Sequence, residues 1–426
     1  MGLFRTAIAI VLFFLTLPAA RAASDFGACL IELQAQARER GLPAQIVDEL
    51  LGGLIYQPRV IELDQAQPEF RQSFAAYLRG RVNQARVWRG RLALVEQAEL
   101  LVRLTEEYGV PGHYLVAFWG LETNYGGFLG RMPTLDVLAT LACDPRRSAM
   151  FTEQLLTALE LVERDALQPD QMRGSWAGAM GHTQFMPSTW REHAVDGDGD
   201  GRIDLWGSEA DALASAANYL SGLGWRSGER WGREVRLPED FDYALSGLDG
   251  RRALAEWARL GVLQADGRPL QIADMEAALL VPMGHRGPAF LVYQNFEVIM
   301  RWNRSQAYAL SVGHLADRIV GAGDLVQPWP DIERAPSADR MLALQERLLE
   351  LGYEPGEPDG VLGPATRAAL RAFQTDRGLI ADGYPDETAF QALGLDATDN
   401  ASEKGSVHGS GNTPGNDSAG QGPNRS

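Results

Sequence analysis

One carboxylate stands at the end of a wholly apolar run. The run is Tyr114-Leu-Val-Ala-Phe-Trp119 and the carboxylate is Glu122, within Trp119-Gly-Leu-Glu-Thr-Asn-Tyr-Gly126. Gly126 and Gly127 are placed to stop the helix that the run forms. An acid at the edge of an apolar core, among Trp119, Tyr125 and Phe128, loses hydration, and lost hydration raises its pKa. A raised pKa lets a carboxyl hold a proton near neutral pH and act as a general acid. The plainer alternative is a helix-end glutamate that faces water, since most perturbed carboxylates are not catalytic.

A second stretch favours chemistry. Gly174-Ser-Trp-Ala-Gly-Ala-Met-Gly-His-Thr-Gln-Phe-Met-Pro-Ser-Thr-Trp190 sets Gly174, Gly178 and Gly181 among other small residues. That lets backbone approach a ligand closely. Trp176, Phe185 and Trp190 can stack on sugar rings, and Ser175, Thr183 and Gln184 can hydrogen-bond them. Tight helix packing would explain the glycines but not the polar and aromatic residues among them.

A third stretch has the spacing of a metal site. In Val195-Asp-Gly-Asp-Gly-Asp-Gly-Arg-Ile203, Asp196, Asp198 and Asp200 hold alternate positions and Gly201 follows. This is the start of an EF-hand calcium loop, with glycine where the sharp turn falls. The closing position holds Gly207 in place of glutamate, so Glu209 or Asp211 would have to close a longer loop. Three carboxylates this close repel unless a cation neutralises them. A solvated acidic turn is the alternative.

The elements that must carry these residues read as mainly helical. Apolar residues recur at three- and four-residue spacing in Asp25–Leu33 and Leu92–Tyr108, with a break at Gly41-Leu-Pro. Met132-Pro-Thr begins another helix with Thr134 as its N-cap, Phe151–Glu163 forms a further one, and Pro187 starts a third. Ala210–Leu223 is a helix closed at Gly224. Glu234-Val-Arg-Leu, Ala277–Pro282 and Ala289–Tyr293 read as strands, and Asn295–Ile319 as a last helical part. The arginines Arg79, Arg81, Arg86, Arg89 and Arg91 read as a solvated helix face or the edge of a polymer groove.

Composition bounds the answer. The chain has 426 residues, 45% of them hydrophobic, enough for roughly two or three cored domains. A formal net charge of −17 argues against a nucleic-acid partner. Met1–Ala22 has the form of a secretory signal: Arg5, an apolar Ala7–Leu17 too short to span a bilayer, and the small-x-small site Ala20-Arg-Ala22. No later segment approaches transmembrane length, so an exported, periplasmic protein is expected. Cys29 and Cys143, the two cysteines, are expected to pair in an oxidising compartment, with two buried thiols as the alternative.

Residues 327–336 have the composition of a linker, and 339–393 that of a compact three-helix unit. From 398 on the chain is mostly Gly, Ser, Asn and Pro, the composition of disorder.

Glu122-Thr-Asn-Tyr-Gly, Gly178-Ala-Met-Gly-His-Thr-Gln-Phe-Met-Pro-Ser and Asp196-Gly-Asp-Gly-Asp-Gly, in that order, resemble the lytic murein transglycosylase B family over residues 25 to about 325. Residues 339–393 resemble the three-helix peptidoglycan-binding domain. The resemblance implies a mainly α (α+β) protein. It would have a lysozyme-like catalytic domain with a helical N-terminal part and a small β subdomain, plus a three-helix C-terminal domain. The expected division is 1–22 signal peptide, 23–325 catalytic domain, 326–338 linker, 339–394 peptidoglycan-binding domain and 395–426 tail.

By the same resemblance, Glu122 matches the catalytic acid, and Ser175, Gln184 and Phe185 match groups lining the saccharide groove. Asn303 matches a Tyr-Asn pair near the active site, with Trp302 in place of the tyrosine. Asp196, Asp198, Asp200, the carbonyl of Arg202, and Asp211 match the calcium ligands, Asp211 only through a one-residue insertion.

The implied reaction uses one acid/base glutamate. The MurNAc–GlcNAc β-1,4 bond is cleaved without water, leaving 1,6-anhydromuramyl ends. No cofactor is expected for the chemistry, and Ca²⁺ would be structural. A hydrolytic muramidase and a non-catalytic wall-binding protein are the alternatives. The expected partners are peptidoglycan glycan strands, and cell-wall synthesis proteins are candidates. The protein is expected to act as a monomer.

Overall fold

A computed structural model describes residues 17–66, 72–164, 167–327 and 335–395. The first part of the expected signal, most of the linker and nearly all of the tail lie outside the described residues.

The fold is built round the helix Gly112–Thr123, whose sequence is apolar on every side. Such a helix has to be enclosed. Tyr114, Leu115, Val116, Ala117, Phe118, Trp119 and Leu121 are all buried. The helices Gln84–Glu96, Ala98–Tyr108, Glu209–Gly222 and Gln306–Ile319 pack against it. Two of the arginines expected on a solvated face are used within the fold, one between packed helices and one at a local turn. Arg91 donates to the carbonyls of Ile319 and Arg318, and Arg86 to those of Gly80 and Arg81.

A second apolar cluster lies under the N-terminal helix Leu17–Glu39 and gathers Thr134–Ala142, Ser148–Glu163 and Pro187–His193. The expected disulfide is present, and Cys29 of the first helix is joined to Cys143 with Cα atoms 5.9 Å apart. Thr134 is not an N-cap. It is the first residue of its helix, fully buried, and Pro133 precedes it in extended conformation.

Residues 232–292 form a five-stranded antiparallel sheet in the order Gly247–Ala253, Glu276–Leu280, Ala289–Val292, Gly232–Arg236, Leu263–Gln264. It has its own core round Trp257, Leu279, Leu291 and Tyr293.

The C-terminal unit has three helices, Ala338–Glu350, Pro364–Asp376 and Glu387–Ala392. They close on Leu344, Leu348, Leu370, Phe373 and Phe390. Although it has its own core, the unit is also seated on the end of the sheet. Asp382 accepts the His285 amide at 2.9 Å and lies 2.7 Å from His285 Nδ1. Arg367 donates to the Pro282 carbonyl, and Arg286 pairs with Asp386 at 3.2 Å.

Candidate active site

The helix that carries Glu122 is turned by its own last residues. Asn124 and Tyr125 both take left-handed backbone conformations, at φ 54° and 60°, and Gly126 follows at φ 73°. Their amides close back on Gly120 and Trp119 carbonyls, which satisfies helix-end acceptors. The stop therefore begins at Asn124, two residues before the glycines. Two consecutive non-glycine residues in this region are strained, and such strain persists only when neighbours over-determine it. Here the Tyr125 hydroxyl donates to the Arg86 carbonyl at 2.8 Å and the Gly126 amide to Thr123 Oγ1 at 3.1 Å. Gly126 is required for a second reason: a Cβ there would meet the His182 ring at 2.3 Å.

The surroundings of Glu122 differ from the sequence expectation. Phe128 is 63% exposed. Trp119 points to the motif on its other side, its indole N–H donating to His182 Nδ1 at 2.9 Å. The groups that meet Glu122 come from the far end of the catalytic chain. Trp302 Nε1 donates to Glu122 Oε1 at 2.9 Å, and the Tyr308 hydroxyl donates to the same oxygen. Phe118, one turn before Glu122, lies with its ring centroid 4.5 Å from Trp302 and 6.3 Å from Tyr308.

Burial, and then the nearby Glu122 charge, push the Tyr308 phenol well above its ordinary pKa. Tyr308 therefore stays protonated and acts as a donor. Asn303 ends the helix Gln294–Trp302, and its Oδ1 accepts the Ser305 amide. Ser305 in turn caps the helix that carries Tyr308. Asn303 thus shapes the turn that sets Trp302 and Tyr308 side by side.

The glycine-rich stretch is a tight hairpin in which Met180 and Phe185 exchange both backbone hydrogen bonds. Ser175 Oγ accepts the amides of Ala177 and Ala179 and so fixes the turn. Gln184, at φ 51°, donates its side-chain amide to the carbonyls of Leu129 and Gly181. His182, like Tyr308, is a residue to which the sequence reading gave no role. Thr123 Oγ1 donates to its carbonyl at 2.8 Å and Trp119 to its ring, so it latches the hairpin to the Glu122 helix. Burial holds its pKa below the ordinary histidine value, as an acceptor Nδ1 requires. Its place between Gly181 and Thr183, as the one histidine of the stretch, was the available signal.

Phe185 does not line a groove. It is 2% exposed and packs edge-on to Tyr219 and Trp302, with centroids 5.6 Å away in both cases. Trp190 is also buried, at 6%. The ring that Phe185 supports, Trp302, is the half-buried one beside the acid.

In the acidic loop, carboxylate oxygens of Asp196, Asp198 and Asp211 all lie within 4.8 Å of one another. Asp196 accepts the amides of Gly199 and Gly201, and Asp211 those of Gly197 and Asp204. Asp211 is 1% exposed. Burial pushes its carboxyl up, against the pull of its two amide donors. Asp200 stands outside the cluster and accepts the Arg202 amide. The least secure of the expected ligands is therefore the most deeply set.

Residues 25–317 match the family model described as transglycosylase SLT domain, and residues 337–393 match the peptidoglycan binding domain. The chain belongs to the SLT transglycosylase family. Family members are lytic transglycosylases, peptidoglycan-cleaving lyases.

The chain is similar to the crystal structure of SltB3 from Pseudomonas aeruginosa in complex with NAG-anhNAM-pentapeptide. That match has 44% identity and a TM-score of 0.82, over 86% of this chain and 99% of that one. The Escherichia coli lytic transglycosylase Slt35 in complex with calcium matches at 29% identity and TM-score 0.57, over 70% of this chain and 92% of that one. Membrane-bound lytic murein transglycosylase B of Escherichia coli K12 is 34% identical over 227 residues, which is 52% of this chain and 60% of that protein's length. No helix among the described residues is long and apolar enough to cross a membrane.

Proposed function

We propose that this SLT domain cleaves the MurNAc–GlcNAc β-1,4 bond of peptidoglycan without water and leaves 1,6-anhydromuramyl ends, with Glu122 as sole acid and base. The observation that carries this is one carboxylate in an aromatic recess, with two donors converging on one of its oxygens. Among the described residues, Glu122 is the acid whose charge acts most on the Tyr308 phenol.

Ordinary glycosidases place two carboxylates across the bond, while substrate-assisted ones use a group of the sugar. Here Glu122 protonates the leaving glycosidic oxygen as the C1–O bond breaks. The 2-acetamido group of the muramyl sugar stabilises C1. The muramyl 6-hydroxyl then attacks C1 and gives its proton to ionised Glu122, which restores the acid. Intramolecular attack in good geometry is worth roughly 7–11 kcal/mol. SltB3 complexes with NAG-anhNAM-pentapeptide and with NAG-NAM-pentapeptide support this substrate class. Mass spectrometry of digested sacculi decides: anhydro ends are expected, and reducing ends would mean a muramidase.

The acidic loop is read as a structural Ca²⁺ site. Its hard oxygen donors suit Ca²⁺, and a buried Asp211 beside Asp196 and Asp198 suits a cation. Asp196, Asp198 and Asp211 would hold the ion, and it supplies no step of the cleavage. The C-terminal unit is read as holding the catalyst on glycan strands, which raises its effective concentration there. Export to the periplasm follows from the N-terminal 22 residues as read from sequence.

A further inference from the structure

We infer that His182 is a positioning residue: it clamps the hairpin that carries Gln184 to the helix that carries Glu122, and does so only while its ring is neutral. The inference rests on Glu122 being the acid of the proposed reaction.

His182 is held by two other segments at once. Its amide donates to the Leu205 carbonyl at 2.8 Å, within the acidic loop. From the Glu122 helix, Thr123 Oγ1 donates to its carbonyl at 2.8 Å and the Trp119 indole to its Nδ1 at 2.9 Å. His182 itself opens the turn in which the Gln184 amide donates to the Gly181 carbonyl. These contacts leave little slack. A Cβ at Gly126 would meet the His182 ring at 2.3 Å, and one at Gly181 would meet the Leu205 carbonyl at 2.6 Å. The seat of the His182 ring therefore sets where the turn, and Gln184 with it, stands against the Glu122 helix.

An indole N–H donates and never accepts, so Nδ1 has to offer its lone pair, and the neutral ring carries its proton on Nε2. A second proton can go only to Nδ1. There it would face the indole N–H, donor against donor, at a residue only 7% exposed. A buried donor left without an acceptor is costly. Burial accordingly holds the pKa of the ring down. Glu209, the Trp206 backbone and Asp204 pull it back up from the side of the acidic loop. On the other side the ring meets Trp119 and Gly126, which carry no charge, and its own turn from Gly181 to Gln184 adds none. The clamp thus holds above the lowered pKa. As pH falls through it, the ring takes up a proton, the indole bond is lost, and hairpin and acid lose their register.

The test is the pH–rate profile on peptide-free glycan fragments. Glu122 must begin protonated, so its ionisation sets the alkaline limb of kcat/KM. An acid limb below the ordinary histidine value of 6.5 should report His182. His182→Asn keeps an acceptor near the place of Nδ1 but takes up no proton, so the acid limb should vanish while the alkaline limb stays. His182→Phe keeps a ring but offers no acceptor. Its kcat/KM at the pH optimum should fall by about 10- to 100-fold, the scale of a misplacement near 1 Å, and His182→Asn should recover most of that loss. An acid limb that persists in His182→Asn overturns the inference, and so does a His182→Phe variant with wild-type kcat/KM.

A second readout needs no variant to fold. In ¹⁵N imidazole spectra of wild-type protein, the ring bonded to an indole N–H should be the Nε2–H tautomer at neutral pH and should titrate together with the acid limb. The other tautomer, or a titration apart from the limb, also overturns the inference. If Glu122→Gln stays active with the acid limb in place, the clamp stands and the reading of Glu122 as acid is what fails.

Discussion

Two carboxylate sites in this chain hold negative charge by opposite means. At Glu122 the donors among the described residues include a Trp indole and a Tyr hydroxyl from 180 and 186 residues away. At the acidic loop they are mainly backbone amides from 2 to 14 residues away, joined by the Ser208 hydroxyl on Asp198. The first arrangement leaves the carboxylate in an apolar recess where a proton can come and go. The second folds several carboxylates into one place, where only a cation of higher charge relieves their repulsion. The proposed proton site is assembled from helices that meet late in the chain, whereas the proposed cation site is written into one loop.

The sharpest test of this contrast is Glu122→Gln. The amide keeps the shape and the two donors but cannot give up a proton. Cleavage of sacculi should fall by about 10²–10⁴-fold or more, the range for a general acid–base group, with the melting temperature unchanged. Retention of more than roughly a tenth of the activity would mean another residue is the acid.

The helix that delivers Tyr308 also carries His314, and there burial acts with the opposite sign. Burial, then the Arg318 charge, lower its pKa from 6.5 to about 4. The folded protein binds that proton less readily than the unfolded chain does. Its contribution is therefore intact above pH 6.5 and is lost as pH falls from there toward 4. The size is on the order of 3 kcal/mol, from about 1.4 kcal/mol per pH unit. Melting curves of wild type and His314→Gln between pH 7 and 4 should diverge, with the variant the flatter. Parallel curves would show that His314 is reached by water.

Chelation probes the other site. An ion that binds only the folded state stabilises it by about 2.7 kcal/mol at a hundredfold excess over Kd. EDTA should lower the melting temperature, and Asp211→Asn should abolish that response. Cleavage of glycan fragments below the melting temperature should persist. Full loss of activity in still-folded protein would place the ion in the mechanism and erase the contrast between the two sites.

The contrast also explains what could be read in advance. The acidic loop was legible because its donors and acceptors share one short segment, and residue spacing encodes it. Glu122 was legible as a carboxylate on an apolar run. The family resemblance placed the Trp302-Asn303 pair near it, but nothing local in Trp302 or Tyr308 shows that both would donate to a residue so far back. Phe185 was read as a sugar platform from its polar neighbours, yet hairpin geometry turns it into the core beneath Trp302. The strand Gly247–Ala253 was missed because Gly-Leu-Asp-Gly-Arg-Arg-Ala shows no alternation and its pairing shifts register midway. The separate fold of the C-terminal unit was legible in its helices. Its seat on Pro282–Arg286 was not, since the residues that make it are scattered and polar.

That seat supplies the mildest test, because Asp382 combines both means of holding charge. Its Oδ1 accepts from Tyr384 N and Gln374 Nε2, both within its own unit. Its Oδ2 faces His285, 97 residues away. The carboxylate is 3% exposed, so replacing it leaves donors on both sides without a partner. Asp382→Ala should destabilise the C-terminal unit by about 1–3 kcal/mol, the range for orphaning a buried donor. It should also raise the radius of gyration in solution scattering as the unit leaves its seat. Cleavage of soluble glycan fragments should not change, because no contact of Asp382 reaches the Glu122 recess. Action on whole sacculi should weaken, as it should on deleting residues 335–426. An unchanged radius of gyration would mean that the Arg286–Asp386 pair and the Arg367–Pro282 bond hold the seat alone. A loss of activity on soluble fragments would mean that the seat transmits to Glu122 through the sheet and the helix Gln294–Trp302. In that case the proton site would depend on the C-terminal unit as well as on its own helices.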